Sequence, residues 1–277
     1  MFNRLIVVAA VAAWLGLAFV AGAAQTAKAP AVTDPAKMTV QDVRACMARN
    51  LVARGALRDL GLDVFDKEGK LRTLRMRLFW KPSKTRGTRV NLRLIDPPVM
   101  AGSSYLLLQE GMNEEVYFFL PGADRSLRIT GQNMSEPLWG TDFSYGEIKQ
   151  VLGLLVMGDT QRLADATVAG RTAYVLETQT KIDETGYRKV VSYVDQAACV
   201  LLKSEFFAKA DTPRKVLEAD LSTLLQADKY WAVLGYTMFD KQRGTRTRLT
   251  LTDLSFDERL SEKLFEPQTF FTHEPPR

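Results

Sequence analysis

Apolar and polar residues alternate along two neighbouring segments in the first third of the chain. The first segment, 71–80, places Arg75 and Arg77 on one face, together with the apolar Phe79. Its opposite face carries Leu74, Met76, Leu78 and Trp80. The corresponding face of the second segment, 90–94, carries Val90, Leu92 and Leu94. A period of two is typical of strands with one buried and one solvated face, and the polar turn between the segments predicts an antiparallel hairpin.

Further short apolar runs follow at intervals marked by Gly, Pro and Asp, which are turn-forming residues. They predict strands at 104–109, 115–120, 126–130, 173–179, 188–194, 201–207, 215–221, 232–239 and 245–254. With the first hairpin, the chain has about eleven predicted strands. This order indicates a mainly β fold, an antiparallel sandwich or barrel, because a parallel sheet would need helices between its strands.

Two amphipathic helices complete the predicted elements. Thr39 and Asp42 have the spacing of a helix start, and they precede a helix at 40–51 whose buried face includes Cys46. A second helix is predicted at 145–157, with a broad apolar face and Ser144 as its cap. A long sheet with one apolar face must curl or be covered, and two helices are too few to fill a large barrel. The space that remains is an opening for a ligand.

The first residues predict export. One positive charge, a long apolar run and a group of small residues at 21–24 are typical of a secretory signal peptide, here 1–24. The alternative is an uncleaved anchor, because the apolar run is nearly long enough to span a bilayer. Residues 25–37, rich in Ala, Thr and Pro, predict a flexible leader, and 38–277 predicts a single domain in the periplasm.

Charge and cysteine content bear on the partners and the covalent structure of the chain. The 277 residues carry a net charge of +5, with basic residues interleaved among acidic ones. This pattern argues against a nucleic-acid partner and is compatible with transient contact with anionic membrane surfaces. Cys46 and Cys199 would be free to pair in an oxidising compartment, but two separate buried thiols fit the sequence equally well.

The sequence offers little for catalysis. Its only histidine, His273, lies in a Pro-rich tail, and neither a nucleophile elbow, a phosphate loop nor a Cys-x-x-Cys pair is present. Paired carboxylates such as Glu114 and Glu115 are better explained as surface turns. We therefore predict a protein that is not an enzyme, with no catalytic residue, no metal site and no cofactor.

Several segments, taken in order, resemble a known family. They are Asp96-Pro97-Pro98, Ala101–Leu106, Tyr117–Pro121 with Arg125 and Arg128, Gly140–Tyr145, Tyr193–Asp195, Lys203–Phe206 and Leu264-Phe265. Together they resemble the outer membrane lipoprotein-sorting protein family, which is similar to the periplasmic lipoprotein carriers LolA and LolB. The resemblance implies a strongly curved, unclosed antiparallel β-barrel, with two or three helices on its concave side and a hydrophobic cavity for acyl chains.

The resemblance also implies a function. The chain is expected to carry a lipid or an acylated ligand, either a lipoprotein or an exported lipid, towards the outer membrane, with an inner-membrane transporter as a possible partner. The alternative is an interaction module that does not carry cargo and docks an inner-membrane lipid exporter. Its docking surface would be the basic face formed by Arg72, Arg75, Arg77, Arg89 and Arg93.

Aromatic, Met and Leu side chains on the predicted inner faces have two interpretations: they pack the core, or they contact a ligand. The candidates for ligand contact are Met76, Trp80, Leu92, Tyr105, Tyr193 and Phe206. The segment Asp142-Phe143-Ser144 has two interpretations, a structural corner and a point of partner recognition. The corner is the simpler one, since capping explains the polar residues and Phe143 can plug the sheet.

Overall fold

The computed structural model describes residues 34–51, 55–82, 87–111, 113–123, 125–227, 229–256 and 259–272. The predicted signal peptide, 1–24, and the leader up to residue 33 lie outside the described residues. The last three leader residues, Pro35–Lys37, form a 3-10 turn. None of the helices in the described part of the chain is long and apolar enough to cross a lipid bilayer.

The described residues form fifteen strands and two α-helices, α1 (Val40–Ala48) and α2 (Ile182–Thr185). The strands are β1 (Ala56–Phe65), β2 (Leu71–Pro82), β3 (Thr88–Asp96), β4 (Ser104–Glu110), β5 (Asn113–Phe119), β6 (Leu127–Ile129), β7 (Asp159–Val168), β8 (Arg171–Gln179), β9 (Lys189–Asp195), β10 (Leu201–Phe207), β11 (Lys215–Ala219), β12 (Leu224–Ala227), β13 (Tyr230–Val233), β14 (Gly235–Asp240) and β15 (Thr245–Phe256).

Thirteen of the strands form one antiparallel sheet. Its order is β6-β5-β4-β3-β2-β1-β15-β14-β11-β10-β9-β8-β7, and β12 and β13 form a separate two-stranded sheet. The last strand pairs with the first, from Ala56 opposite Phe256 to Phe65 opposite Arg246. The two edge strands, β6 and β7, are paired on one side only within this sheet. The sheet is therefore unclosed, which confirms the predicted fold class.

The connection between β6 and β7 covers the concave face. These strands are consecutive in the chain but lie at opposite edges of the sheet, so residues 130–158 must cross from one edge to the other. The connection buries Leu138, Trp139, Phe143, Ile148, Val151, Leu154 and Leu155. These side chains share one core with the inward faces of the strands and with α1. One segment thus supplies much of the core.

The predicted strands are found, but the count was too low. Strands β1, β7 and β12 were missed, and the predicted strand at 232–239 divides into β13 and β14. In β1, Asp59, Gly61 and Asp63 are poor strand formers that hide the alternation of apolar residues. Strand β7 is a largely polar edge strand without an apolar face that sequence reading could detect.

The second predicted helix, at 145–157, was wrong. Only a 3-10 turn, Ile148–Leu152, forms in this segment, and Gly153 ends it with a φ of 79°. Lys149 and Gln150 are buried there and bond to Glu114 and to the Ser204 hydroxyl. Glycines near both ends leave too few residues for a stable helix, and the buried polar groups fix the segment to the sheet instead.

Helix α1 has the predicted start. The Thr39 N–H donates to Asp42 Oδ2 at 2.9 Å, and the Asp42 N–H donates to Thr39 Oγ1 at 3.2 Å. This reciprocal pair is a capping box, formed with Asp in place of Glu. The helix buries Val43, Cys46 and Met47 against the sheet. It ends at Ala48, three residues before the predicted end at Leu51.

Cys46 and Cys199 form a disulfide, with their Cα atoms 5.6 Å apart. The bond closes a loop across 153 residues of sequence and joins α1 to the turn between β9 and β10. Nearby, the Asn50 side-chain amide donates to the carbonyls of Ala198 at 2.8 Å and of Cys199 at 3.1 Å. The end of α1 is therefore tied to the sheet by both a covalent bond and hydrogen bonds.

Replacing both cysteines, as Cys46→Ala with Cys199→Ala, is expected to lower the free energy of unfolding by about 2–5 kcal/mol, because the unfolded chain regains the freedom that a long closed loop removes. Urea denaturation of the oxidised protein and of the double variant measures the loss. Dithiothreitol should destabilise the wild type by a similar amount and leave the double variant unchanged. Equal stability of the two proteins without reductant would contradict this role of the disulfide.

A C-terminal segment, residues 259–272, covers part of the outer face. Leu260, Leu264, Phe265 and Phe270 are buried against Phe79 of β2 and Leu106 of β4. The Asn91 amide, which points to the same side, donates to the carbonyls of Leu264 at 2.8 Å and of Phe270 at 2.9 Å. The prediction of a solvated outer face was therefore wrong for this hairpin, and the apolar Phe79 has a packing role.

The predicted basic face is largely occupied. Arg89 pairs with Glu262, and Arg93 donates to the Phe270 carbonyl at 2.6 Å. Arg77 pairs with Asp59 at 2.8 Å. Arg72 is two residues before Leu74 in β2, so both side chains lie on the inward face of the strand. There the Arg72 guanidinium donates to the Trp139 carbonyl at 3.2 Å. Of the five arginines, Arg75 alone remains exposed on the outer face without a partner among the described residues.

Glu262 fixes the start of the C-terminal segment and makes its docking depend on pH. Hydrogen bonds from Lys81 and Arg89 lower the pKa of Glu262 from 4.5 to about 2. Because this pKa is lower in the docked state, the stabilisation is complete above about pH 4.5 and is lost as the pH falls towards 2.

Hydrogen exchange of 259–272, corrected for intrinsic rates, should therefore lose protection between pH 4.5 and 2. Glu262→Gln should remove this dependence and lower the protection above pH 4.5. Glu266→Gln is the matched control on the same segment, since the Glu266 carboxylate accepts only from Thr269 among the described side chains. An unchanged pH profile in Glu262→Gln would show that Glu262 does not control docking.

Candidate functional site

An apolar cavity of about 120 Å³ lies between the concave face of the sheet, α1 and the β12–β13 hairpin. Strand β2 contributes Leu78 and Trp80, two of the residues that the alternating pattern places on the inner face. The rest of the lining comes from the end of α1, the 3-10 turn, the β9–β10 turn and strands β1, β10, β13, β14 and β15. The cavity therefore lies near the middle of the sheet, under its covering elements.

Almost every side chain around this cavity is apolar or aromatic. They include Met47, Leu51, Val151, Leu152, Trp231, Val233 and Leu251. Asn50 also lies in the wall, but its amide bonds to backbone carbonyls and its Oδ1 accepts from the Trp231 N–H at 2.9 Å. A polar group satisfied in this way does not require water or a ligand. Arg58 is the only charged residue in the lining.

A second space of about 340 Å³ lies near the β6 edge of the sheet, and its lining is much more polar. Phe206 and Val190 line it together with the charged residues Glu114, Glu147, Lys149 and Glu184. Lys149 and Glu114 pair with each other, and Glu147 pairs with Lys215. Charged groups make this space a poor place for hydrocarbon, although it is the larger of the two.

The six predicted ligand residues do not come together. Trp80 lines the apolar cavity, and Phe206 lines the polar space. Met76, Leu92 and Tyr105 are each 1% exposed within the main core and line neither space. The hydroxyl of Tyr105 donates to the Tyr145 carbonyl at 3.0 Å, and burial raises the pKa of Tyr105 well above 10. These three residues pack the core.

Tyr193 was placed on the wrong face. Its neighbours Val190, Ser192 and Val194 are buried on the inner side of β9, so an odd-numbered residue of this strand points outwards. There its hydroxyl donates to Glu205 at 2.9 Å, and the Lys203 ammonium lies 5.5 Å from its ring centre. Burial and Glu205 raise the pKa of Tyr193 to about 12. Tyr193 therefore belongs to a polar and aromatic cluster on the outer surface.

The Asp142-Phe143-Ser144 segment forms a buried corner. Asp142 accepts hydrogen bonds from the hydroxyls of Thr245 and Thr247, the latter at 2.7 Å, and Phe143 is fully buried. The Ser144 N–H donates to Glu147 at 2.8 Å, so Glu147, not Ser144, caps this turn. The predicted structural role of the segment fits these contacts, although its hydrogen-bond partners differ from the expected ones.

A buried ion pair extends this corner to β11. Lys215 Nζ lies 3.0 Å from Glu147 Oε2 and donates to the Asp142 carbonyl at 2.7 Å. The Tyr187 hydroxyl donates to Glu147 Oε1, and burial and the Glu147 carboxylate raise the pKa of Tyr187 strongly. Because every charge in this cluster has partners, we interpret the cluster as a structural lock between the connection and the sheet.

Glu147→Leu is expected to lower the free energy of unfolding by about 3–5 kcal/mol, because it leaves the Lys215 ammonium buried without its counter-ion. Combining it with Lys215→Met should lose less than the sum of the two single variants. The matched control is Glu184→Leu, in the exposed Lys181–Glu184 pair, which should change stability by less than about 1 kcal/mol. Additive losses in the buried pair would show that the two charges are not coupled.

Sequence reading missed Arg58. The signal was present, because Ala56, Arg58, Leu60 and Leu62 alternate along one face, but the strand itself was not predicted. Among the described residues, no three His, Cys, Asp or Glu side chains are placed to hold a metal ion. His273 lies outside the described residues.

Solved structures show which class of fold this is. A domain described as an outer membrane lipoprotein-sorting protein, from Vibrio parahaemolyticus, is similar with a TM-score of 0.70 and 24% identity over 84% of this chain and 97% of that one. A DUF1329 family protein from Desulfovibrio piger has a TM-score of 0.70 and 20% identity over 81% and 95%. A LolA superfamily protein from Nitrosomonas europaea has a TM-score of 0.64 and 17% identity over 82% and 97%. The fold is LolA-like, which confirms the resemblance predicted from the sequence.

The sequence itself assigns the family. A family model with the description "-like: Uncharacterized protein" matches residues 86–271, well over half of the chain, and the chain belongs to that family. The search of curated proteins found no sequence that matches this chain. The match begins between β2 and β3 in the chain and ends within the C-terminal segment, so it includes most of the sheet and the connection across its concave face.

Proposed function

We propose that this protein is a periplasmic carrier that binds the acyl part of a lipid or lipoprotein in the apolar cavity under its curved sheet. The observation that supports this most directly is the cavity itself, an almost wholly apolar space at the centre of a LolA-like fold. The similar Vibrio parahaemolyticus domain, described as lipoprotein-sorting, supports the same class of cargo. Binding would hold the ligand without a chemical step.

Burial alone can supply the affinity. An apolar cavity of about 150 Å³ stays dry and can bind benzene, so a space of this order accepts a short stretch of hydrocarbon. Each methylene transferred from water contributes about 0.8 kcal/mol. The cavity as described is about 120 Å³, so a long acyl chain would require its walls to move apart.

The hairpin is the wall best suited to move. The end of α1 is held by the disulfide and by Asn50, and the connection is locked through Glu147 and Lys215. Strands β12 and β13 form a two-stranded sheet of their own, and they contribute Trp231, Ala232 and Val233 to the cavity wall. A small sheet with few partners can shift at lower cost than the thirteen-stranded sheet.

The compartment and domain structure belong to the same proposal. A disulfide persists in an oxidising compartment such as the bacterial periplasm, and the apolar N-terminal run would direct export. After removal of 1–24 and beyond the leader 25–37, residues 38–277 would act as one carrier domain. The opposing idea, a basic face that docks an exporter, has weaker support because Arg77, Arg89 and Arg93 are engaged within the protein.

Filling the cavity should block uptake. Val233 lies in the wall on the β12–β13 hairpin, on the inward face that it shares with Trp231. Val233→Trp is expected to reduce binding of a fluorescent fatty acid by about tenfold or more, because the larger side chain occupies the space that hydrocarbon would take. The matched control is Ala227→Trp, an exposed position on the same hairpin. It should bind as the wild type does.

Native mass spectrometry of the protein purified from the periplasm provides the second measurement. The wild type and Ala227→Trp should carry bound lipid, and Val233→Trp should be empty while keeping the circular dichroism spectrum of the wild type. Recovery of all three proteins without lipid, together with no uptake of the fatty-acid probe by the wild type, would refute the carrier function.

A further inference from the structure

Arg58 is a charged residue on an apolar face. It lies opposite Leu78 in the β1–β2 register, and its neighbours on the same side of β1 are Ala56 and Leu60, which are 2% and 3% exposed. Because residues two apart share a face of a strand, Arg58 points with them towards the concave side. There it is partly buried and lines the apolar cavity.

Within the described part of the chain, Arg58 has no counter-ion. Among the described residues, no carboxylate pairs with its guanidinium and no oxygen accepts a hydrogen bond from it, and the cavity lining contains no acidic residue. Other partly buried arginines differ in this respect: Arg44 donates to Thr160 Oγ1 at 3.0 Å, and Arg162 donates to the Met38 carbonyl at 2.6 Å. Burial lowers the pKa of Arg58, and no counter-ion opposes this effect.

An unpaired charge in such a place lowers stability. A charged group removed from water costs free energy unless it is paired and hydrogen-bonded, and a core position that only needed volume would be filled better by Leu or Met. Such a cost is typical of a residue whose partner is a ligand. The guanidinium presents a planar set of donors that fits the two oxygens of a carboxylate or phosphate.

We infer that Arg58 binds the anionic headgroup of the ligand, so that the cargo of this cavity is an amphiphile with a carboxylate or phosphate next to its hydrocarbon chain. The inference rests on the proposed carrier function and narrows it. Neutral amphiphiles of the same chain length, such as esters and alcohols, leave the charge of the guanidinium without a counter-ion and bind more weakly. The hydrocarbon next to the headgroup lies against Leu78, Trp80 and Trp231.

The test compares ligands that differ only in the headgroup. Dodecanoate, dodecyl phosphate and dodecanol are titrated at pH 7 into the full-length mature protein. The two anions are kept below their critical micelle concentrations, and dodecanol is kept below its solubility limit. Binding is followed by intrinsic fluorescence, because Trp80 and Trp231 line the cavity, and by calorimetry. The two anions are expected to bind about tenfold or more tightly than dodecanol, the effect of one charge-assisted hydrogen bond. Inorganic phosphate alone should neither bind nor compete.

Arg58→Gln should abolish the preference for the anions and leave the affinity for dodecanol unchanged, whereas Arg58→Lys should keep part of the preference. The matched control is Arg75→Gln, an exposed arginine on the outer face of the neighbouring strand, which should keep all of it. Arg58→Met should raise the melting temperature of the empty protein, because it removes an unpaired charge from apolar surroundings. If an Arg58 variant lost binding because it misfolded, its melting temperature would fall below that of the wild type.

Three results would overturn the inference. Equal affinities of the wild type for dodecanol and the two anions would show that the headgroup is not bound. An equal loss of all three ligands in Arg58→Gln would assign Arg58 to the shape of the cavity. Binding of inorganic phosphate as tight as that of dodecyl phosphate would make Arg58 a simple anion site. If none of the amphiphiles binds to the wild type, the carrier function itself fails, and this outcome is distinct from the other three.

Discussion

The rest of the structure depends on one constraint, the need to cover the concave face of a sheet whose edges do not meet. Thirteen strands bend into an open barrel, and the two edge strands, β6 and β7, are consecutive in the chain. The connection between them must therefore cross the open side, and it brings Trp139, Phe143 and Ile148 into the core. With α1 it covers most of the apolar face. The space that these elements and the β12–β13 hairpin leave unfilled is the cavity.

How far the sequence predicts this arrangement depends on whether a strand has one clean apolar face. β2 and β3 do, so their inward residues and their pairing are correctly predicted. β1 and β7 are harder to recognise, because Asp59, Gly61 and Asp63 are poor strand formers on the second face of β1, and β7 is a polar edge. The C-terminal segment over Phe79 was missed for another reason. Its contacts join residues about 180 positions apart, as in the Asn91–Phe270 hydrogen bond, and local periodicity carries no information on such pairs.

The candidate site shows the same limit more sharply. The inward position of Trp80 was predicted correctly because alternation in β2 fixes its face, and Tyr193 was misplaced because both faces of β9 carry apolar residues. Met76, Leu92 and Tyr105 point inwards as predicted, but they pack against other core residues. The alternation of apolar residues shows which face of a strand a side chain is on, and it does not show which groups the side chain contacts. Arg58 could be recognised only once its strand was known. A charged residue on an apolar strand face points to a functional site only when the strand and its face have been identified.

The fixed and movable parts of this fold determine how a cavity of this size can take a longer guest. The disulfide joins α1 to the β9–β10 turn, so α1 cannot swing away as a lid while the bond is intact. The hairpin of β12 and β13 is tied to the rest by single contacts, among them the Trp231 N–H to Asn50 at 2.9 Å and the Leu251 N–H to the Leu234 carbonyl at 2.7 Å. Displacing it breaks few hydrogen bonds and opens the cavity beside Trp231, whereas moving the connection would expose the buried Glu147–Lys215 pair. Entry of an acyl chain is therefore expected on the hairpin side, with the sheet and α1 held fixed.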